Sequence, residues 1–298
     1  MQDTTMVRNI ALIGHGSCGK TSLAEAMLYT AGKIKRLGKV DDGSSAMDYD
    51  DEEVDRKISI NTSFDSYSWK KTEVFMMDTP GEDSFYNETI FAGSVCDSAV
   101  FTIGAVLGVK GQTLKFAELI ADNNTPSIIV VNKMDRERAD FFKTVEEIND
   151  RLPLNGAIVQ LPIGSEDTFR GIVDLISGKA YEFDEGNKGT LKEIEVPAEM
   201  SGDVEMYRES LMESIAETDD ELIDKFLEEE TLSQEELVAG LKNAVKNGDV
   251  SPVCVCSATL NAGTSAILDI INDYLPAPSD LKPKMATEQN GEEIEMSA

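Results

Sequence analysis

Long apolar runs, a CxxC pair and any surplus of positive charge are missing from this sequence, and histidine is all but missing. No apolar stretch approaches the roughly 18 residues a bilayer-crossing helix requires, and the N-terminal Met1-Gln2-Asp3-Thr4-Thr5 lacks the basic-then-apolar order of a secretory signal. A cytoplasmic protein with no membrane partner is the expectation. Cys18, Cys96, Cys254 and Cys256 show no metal-ligand spacing, so reduced core thiols are expected. Only 27 Lys and Arg stand against 56 Asp and Glu, a formal net charge of −29. Phosphate-backbone binding rests on clustered basic side chains, so DNA is not an expected partner and any RNA has to be met through a local patch. His15 is the only histidine, which bears on mechanism below. With 298 residues and 41% apolar content, the chain can bury the core of one large α/β domain or two smaller ones.

What is present centres on Gly14-His15-Gly16-Ser17-Cys18-Gly19-Lys20-Thr21. It fits the phosphate-loop pattern G-x-x-x-x-G-K-[ST], with the apolar run Ile10-Ala11-Leu12-Ile13 before it and a helix-competent segment at 22–29 after it. Gly14, Gly16 and Gly19 let successive backbone N–H groups converge on phosphate oxygens. His15, Ser17, Cys18 and the following Ser22 belong to the same cradle, and the helix opening at Lys20 adds its positive dipole end. In this pattern Lys20 bridges the β- and γ-phosphates and the Thr21 hydroxyl holds Mg²⁺.

Downstream, residues 38–55 are polar and acidic with little periodicity. Two readings stay open: a solvated loop, or a switch that orders around a γ-phosphate and Mg²⁺. From Lys57, the alternation Ile58, Ile60, Thr62, Phe64 predicts a half-buried strand. A second strand at 73–77 delivers Asp78-Thr79-Pro80-Gly81, suited to a Mg²⁺-water ligand at Asp78 and a backbone N–H for the γ-phosphate at Gly81. A buried strand is expected at 99–103 and a helix at 113–121. The strand at 127–131 carries Asn132-Lys133-Met134-Asp135 to its carboxyl end, where ligands of open parallel sheets bind. The Asp135 carboxylate can accept from guanine N1–H and the exocyclic amine, which adenine does not offer, while Asn132 and Lys133 hold and cover the ring. The ordered set therefore favours GTP over ATP. A last strand at 252–256 ends in Ser257-Ala258-Thr259, whose Ser257-Ala258 would bring a backbone N–H near guanine O6, and a helix at 265–274 follows.

More chain separates Asp135 from Ser257 than one helix needs. Residues 160–249 are read as an inserted acidic α+β subdomain: strands at 171–175 and 179–183, then helices with the apolar stripes Val204, Tyr207, Leu211, Ile215 and Leu222, Ile223, Phe226. Their outer faces carry Glu205, Glu209, Glu213, Glu217, Asp220, Asp224 and Glu228. Such a face is either solvated or a docking surface for a basic partner. Residues 1–159 and 250–279 form the expected nucleotide-binding domain. Residues 280–298, acidic and aperiodic, read as a linker towards a further domain. The expected fold class is α/β: a P-loop GTPase fold, a mostly parallel twisted sheet with helices on both faces, plus the insert.

The ordered set Gly14 to Thr21, Arg56-Lys57-Ile58-Ser59-Ile60, Asp78 to Gly81, Asn132 to Asp135 with Arg136, Leu161-Pro162-Ile163-Gly164, Ser257-Ala258 and Asp273-Tyr274-Leu275-Pro276 resembles the GTP-binding domain of elongation factor G. The resemblance implies GTP/GDP and Mg²⁺ as ligands, and a GTPase driving ribosomal translocation. It also implies contact with ribosomal RNA, an acidic insert that meets the stalk protein, and a monomeric factor. Mg²⁺ would be held by Thr21, Ser59 and Asp78, with Lys20, Gly81 and the next residue carrying catalysis.

The sequence departs from the family pattern at three places: Ser17 stands where Asp is usual, Lys57 and Ser59 replace Gly and Thr of the first switch, and Glu82 occupies the position of the water-orienting histidine. Glu82 can accept a hydrogen bond from water, yet its charge faces the γ-phosphate; His15 belongs to the phosphate loop and cannot substitute. These departures lean towards divergent elongation factor G-like paralogues. Two functions follow as alternatives: a GTPase, or a GTP-binding switch with weak hydrolysis. A third, a P-loop ATPase, requires that Asp135 not face the base.

Overall fold

The computed structural model describes residues 3–184, 189–288, 291 and 293–296. In chain order it contains β1 (Val7–Ile13), α1 (Lys20–Thr30), α2 (Asp51–Arg56), β2 (Ser63–Trp69), β3 (Thr72–Asp78), α3 (Tyr86–Val95), β4 (Ser98–Gly104), α4 (Gly111–Asp122), β5 (Ser127–Asn132), α5 (Phe141–Arg151) and β6 (Gly156–Ile158). Then come β7 (Gln160–Ile163), β8 (Gly171–Asp174), β9 (Lys179–Phe183), β10 (Leu191–Ile194), α6 (Ser201–Ala216), α7 (Asp220–Glu229), α8 (Gln234–Asn247), β11 (Ser251–Val255), α9 (Thr264–Tyr274), β12 (Lys284–Thr287) and β13 (Glu293–Met296).

The described residues form a seven-stranded sheet in the order β2-β3-β1-β4-β5-β11-β6, parallel except for β2. Parallel strands buried on both faces read as continuous apolar runs, and every residue of β4, β5 and β11 is buried. From β1 the chain crosses outward to β3, then back over β1 to β4. Right-handed crossovers therefore put α1 and α3 on opposite faces, with α1 against α9 and α3 against α4. The order reverses between β1 and β4, and a crevice opens there at the carboxyl ends of the strands. A separate antiparallel sheet, β10-β9-β8-β7, and helices α6 to α8 lie between β6 and β11 in sequence. No helix among the described residues is long and apolar enough to cross a membrane.

Three local expectations change. The strand expected from Lys57 begins at Ser63, where pairing with Asp78 starts, and its other face points inward: Ser63 and Tyr67 are buried while Phe64 is 73% exposed. The cause is Glu53, whose Oε1 accepts the N–H groups of Ile60 (2.8 Å) and Asn61 (3.0 Å) and so diverts them from a ladder. The aperiodic 38–55 stretch contains α2, started by a reciprocal capping box in which Asp50 accepts from Glu52 N–H and Glu53 Oε2 from Asp50 N–H. The expected linker holds the antiparallel pair β12–β13, with Lys284 opposite Met296; residues 289, 290, 292, 297 and 298 of that expectation lie outside the described residues.

Candidate functional site

Gly14 follows β1 directly with a φ of 154°, and a methyl group there would strike the Thr102 carbonyl of β4. Gly19, at a φ of 95°, caps α1, and a side chain there would meet the Asn132 amide. Both positions require glycine for reasons of space as well as conformation. The loop they shape opens on a cleft of about 470 Å³ at the crevice.

Gly16, Ser17, Gly19, Lys20, Thr21, Ser22, Ser59, Gly81, Glu82, Lys133, Asp135 and Ala258 line the cleft together. His15, Cys18, Thr79, Asn132, Met134 and Ser257 are buried around it and act as scaffold. Thr79 donates its hydroxyl to Leu12 O (2.7 Å), and Pro80 O accepts from Thr89 Oγ1 (3.2 Å), which fixes the Asp78-to-Gly81 turn against β1 and α3. A methyl group at Gly81 would collide with Lys20 Nζ and the Gly16 nitrogen, so this turn sits directly against the phosphate loop. Glu82, half-buried, lies over Gly16.

Lys20 Nζ donates to Gly14 O (2.8 Å) and His15 O (3.3 Å) at the floor of the loop. The His15 ring turns away to Thr113 Oγ1 (3.1 Å). Burial first, then Lys20, Lys110 and Lys133, pushes its pKa down to about 4, so it is neutral at pH 7 and faces the core. This placement removes it from proton chemistry at the cleft.

The cation-binding candidates meet at one spot. Ser59 Oγ donates to Asp48 Oδ1 (2.8 Å), which leaves Thr21 Oγ1 to donate to Ser59 Oγ (3.0 Å). Both Asp78 oxygens are buried without a hydrogen-bond partner. Burial raises the Asp78 pKa to about 7, with Lys20 and the neighbouring Thr21 hydroxyl opposing and Asp48 and Glu25 adding to the rise. Unpaired buried oxygens beside two hydroxyls form a hard-oxygen donor set that fits Mg²⁺. Among the described residues no three His, Cys, Asp or Glu side chains group as a metal cage. A magnesium ion bound through few protein groups and substrate phosphates needs none.

At the other end of the cleft, Asn132 ties three loops. Its Nδ2 donates to Cys18 O (3.1 Å), and its Oδ1 accepts from Lys133 N–H (2.7 Å) and Ala258 N–H (3.0 Å). Asp135 Oδ1 accepts from Ser257 Oγ (2.6 Å), and Oδ2 pairs with Arg136 Nε at 3.3 Å. The Ala258 N–H expected to face a base oxygen is thus engaged by Asn132, and the Ser257 N–H by Ala262 O (2.9 Å).

Gly38, Lys39, Val40, Asp41, Asp48, Arg136 and Leu260 also line the cleft. Gly38 to Asp48 fall in the segment whose sequence left a solvated loop and a switch both open, and no single residue of it stands out there as a site residue; a polar loop carries no periodic signal, and its path depends on buried partners far along the chain. The geometry at Lys57 accounts for the family's glycine at this position and not for the lysine that replaces it. Lys57 ends α2 in the left-handed region at a φ of 56°, a conformation glycine adopts freely and lysine at a cost. Lys57→Gly is expected to raise stability by about 0.5–1 kcal/mol, the relieved strain exceeding the added unfolded-chain entropy; the urea midpoint measures it.

A family model described as "Elongation factor Tu GTP binding domain" matches residues 5–277. The crystal structure of ttk003000868 from Thermus thermophilus is similar, with a TM-score of 0.86 and 27% sequence identity, covering 98% of this chain and 48% of that one. The chain therefore spans about half the length of that relative.

Proposed function

The chain belongs to the elongation factor Tu GTP-binding domain family, and from that premise we propose that it binds GTP with Mg²⁺ and hydrolyses it to GDP within an elongation factor G-like factor of ribosomal translocation. The observation that carries the proposal is the single cleft joining Lys20, Thr21 and Gly81 at one end to Lys133 and Asp135 at the other. A phosphate chain lies along the loop N–H groups and the opening of α1, with Lys20 Nζ leaving the loop carbonyls for the β- and γ-phosphates. Thr21, Ser59 and Asp78 hold the magnesium ion, which when bound draws charge from the phosphate oxygens. Asp135 accepts from the guanine N1–H and exocyclic amine. The Gly81 N–H faces the γ-phosphate, and Glu82 accepts from the attacking water.

The position of Glu82 over Gly16 also favours a second reading, a GTP-dependent switch with weak hydrolysis. A carboxylate beside the γ-phosphate repels the charge that the transition state has to shed. Single-turnover GTP hydrolysis with and without ribosomes separates the two. Ribosomal stimulation of the wild type, abolished in Glu82→Ala, supports catalysis through Glu82. Tight GTP binding without stimulation, together with at least a tenfold gain in Glu82→His, establishes the switch; one well-placed catalytic group is worth roughly 10²–10⁴ in rate.

For partners, we propose ribosomal RNA at the nucleotide end and the stalk protein at residues 160–249. Support comes from the exposure of Glu205, Glu209, Glu213, Glu217, Asp220, Asp224 and Glu228 on α6, α7 and the turn between them. Residues 1–159 with 250–279 act as the GTP-binding domain, of a cytoplasmic factor working as a monomer.

A further inference from the structure

Glu25 lies on α1 one turn after Thr21, on the same face of the helix, and is buried. Its Oε1 accepts from Ser45 Oγ (2.9 Å), from the Met47 N–H (3.1 Å) and from the Ala46 N–H. Its Oε2 packs against Gly38, where even a methyl group would collide with it. Ser45 Oγ in turn accepts from the N–H groups of Met47 (3.2 Å) and Asp48 (3.2 Å). One buried carboxylate therefore gathers both limbs of the loop spanning 38–48: the limb that lines the cleft at Gly38 to Asp41, and the limb that presents Asp48 to Ser59. Ser59 closes the circuit at Thr21. The helix that follows the phosphate loop grips the same segment at two points, Thr21 and Glu25.

We propose that Glu25 is a positioning residue for the nucleotide site, holding the 38–48 loop so that Asp48 and Ser59 meet Thr21 when the γ-phosphate is bound. The inference rests on the GTP-site reading above and adds a residue to it that touches neither nucleotide nor metal. Its physical basis is the number of donors on one oxygen. Without it the buried Ser45 hydroxyl and the part-buried Ala46 N–H lose this acceptor and the Met47 N–H keeps only Ser45 Oγ, so the loop undocks when the acceptor is removed. GDP lacks the phosphate that the loop closes on, so its retention depends less on the clamp.

The test is the dissociation rate of fluorescent GTP and fluorescent GDP in excess Mg²⁺ from the wild type, Glu25→Ala, Glu25→Gln and Ser45→Ala. Glu25→Ala is expected to speed GTP release at least tenfold and GDP release less than threefold. Glu25→Gln keeps an acceptor oxygen and is expected to return GTP release to within threefold of the wild type. Ser45→Ala leaves α1 untouched and keeps the test in force if Glu25→Ala does not fold; it is expected to speed GTP release about threefold. In the nucleotide-free protein, trypsin is expected to cut at Lys39 faster in Glu25→Ala than in the wild type. Equal acceleration of GTP and GDP would reduce Glu25 to a stabiliser of the fold and overturn the proposal, as would unchanged GTP release in both Glu25→Ala and Ser45→Ala. Failure of the wild type to bind either nucleotide would overturn the site reading itself.

Discussion

Asp135→Asn is expected to weaken GTP binding at least a hundredfold and to create binding of xanthosine triphosphate. The Asp135 carboxylate offers two acceptors to the two donors on the guanine edge, N1–H and the exocyclic amine. Asparagine offers one acceptor and one donor, and xanthine presents a carbonyl where guanine has the amine. A hydrogen bond to a charged group contributes about 1.5–3 kcal/mol, and losing the better part of two corresponds to roughly a hundredfold or more at 1.4 kcal/mol per decade. The fold should tolerate the change, because the Ser257 hydroxyl can still donate to the remaining oxygen and the half-exposed Arg136 guanidinium can turn to water. Competition of GTP, XTP and ATP against a labelled nucleotide reads the result. Unaltered GTP affinity in Asp135→Asn, or equal affinity of the wild type for GTP and ATP, would remove Asp135 from the base site.

Asp78→Asn is expected to divide stability from function. Both Asp78 oxygens are buried and unpartnered, and the pKa is pushed up from 3.8 to about 7. A carboxyl with a raised folded pKa keeps its proton more tightly in the native state. Stability therefore falls as pH rises from about 4 to 7 and stays lower above, by about 4 kcal/mol in all. The neutral amide avoids that cost but leaves its own polar atoms unpaired, which offsets about half. In EDTA at pH 8, Asp78→Asn should melt about 5 °C above the wild type; by pH 4 the wild type has recovered its cost by protonation while the amide keeps its own, and the variant should melt about 5 °C below it. With GTP present, the same variant should need about 10–100-fold more Mg²⁺ for half-maximal binding, the usual loss when a carboxylate supporting a metal is neutralised. A variant less stable than the wild type at pH 8, with an unchanged Mg²⁺ requirement, would show that Asp78 faces no cation.

Where the sequence is periodic or carries a fixed local motif, it foretells the structure closely. Ile10 to Ile13 falls in β1, Ala99 to Ile103 in β4, and the stripe Leu211, Ile215 on the buried side of α6. The period of 2 in Ile58, Ile60, Thr62 and Phe64 misled because it runs through a segment whose N–H groups belong to Glu53. Hydrophobic alternation reports only which residues could share a face; hydrogen-bond partners decide whether a strand forms.

The sequence by itself determined the order of the motifs, the βα rhythm of the sheet and the chemical types at the candidate cleft. Each of these depends on residues close together in the chain, on glycines that admit one backbone path and on apolar runs long enough to be buried. Only the tertiary structure decided that Glu25 and Glu53 hold the acidic segment, that His15 turns to Thr113, that Asn132 spends its amide on the Cys18 carbonyl and Ala258 N–H, and that Glu82 lies over Gly16. Those contacts join residues whose sequence separations run from 7 to 126. A buried polar group takes whichever partner the packed elements bring within hydrogen-bond distance, and that choice is made by the fold as a whole.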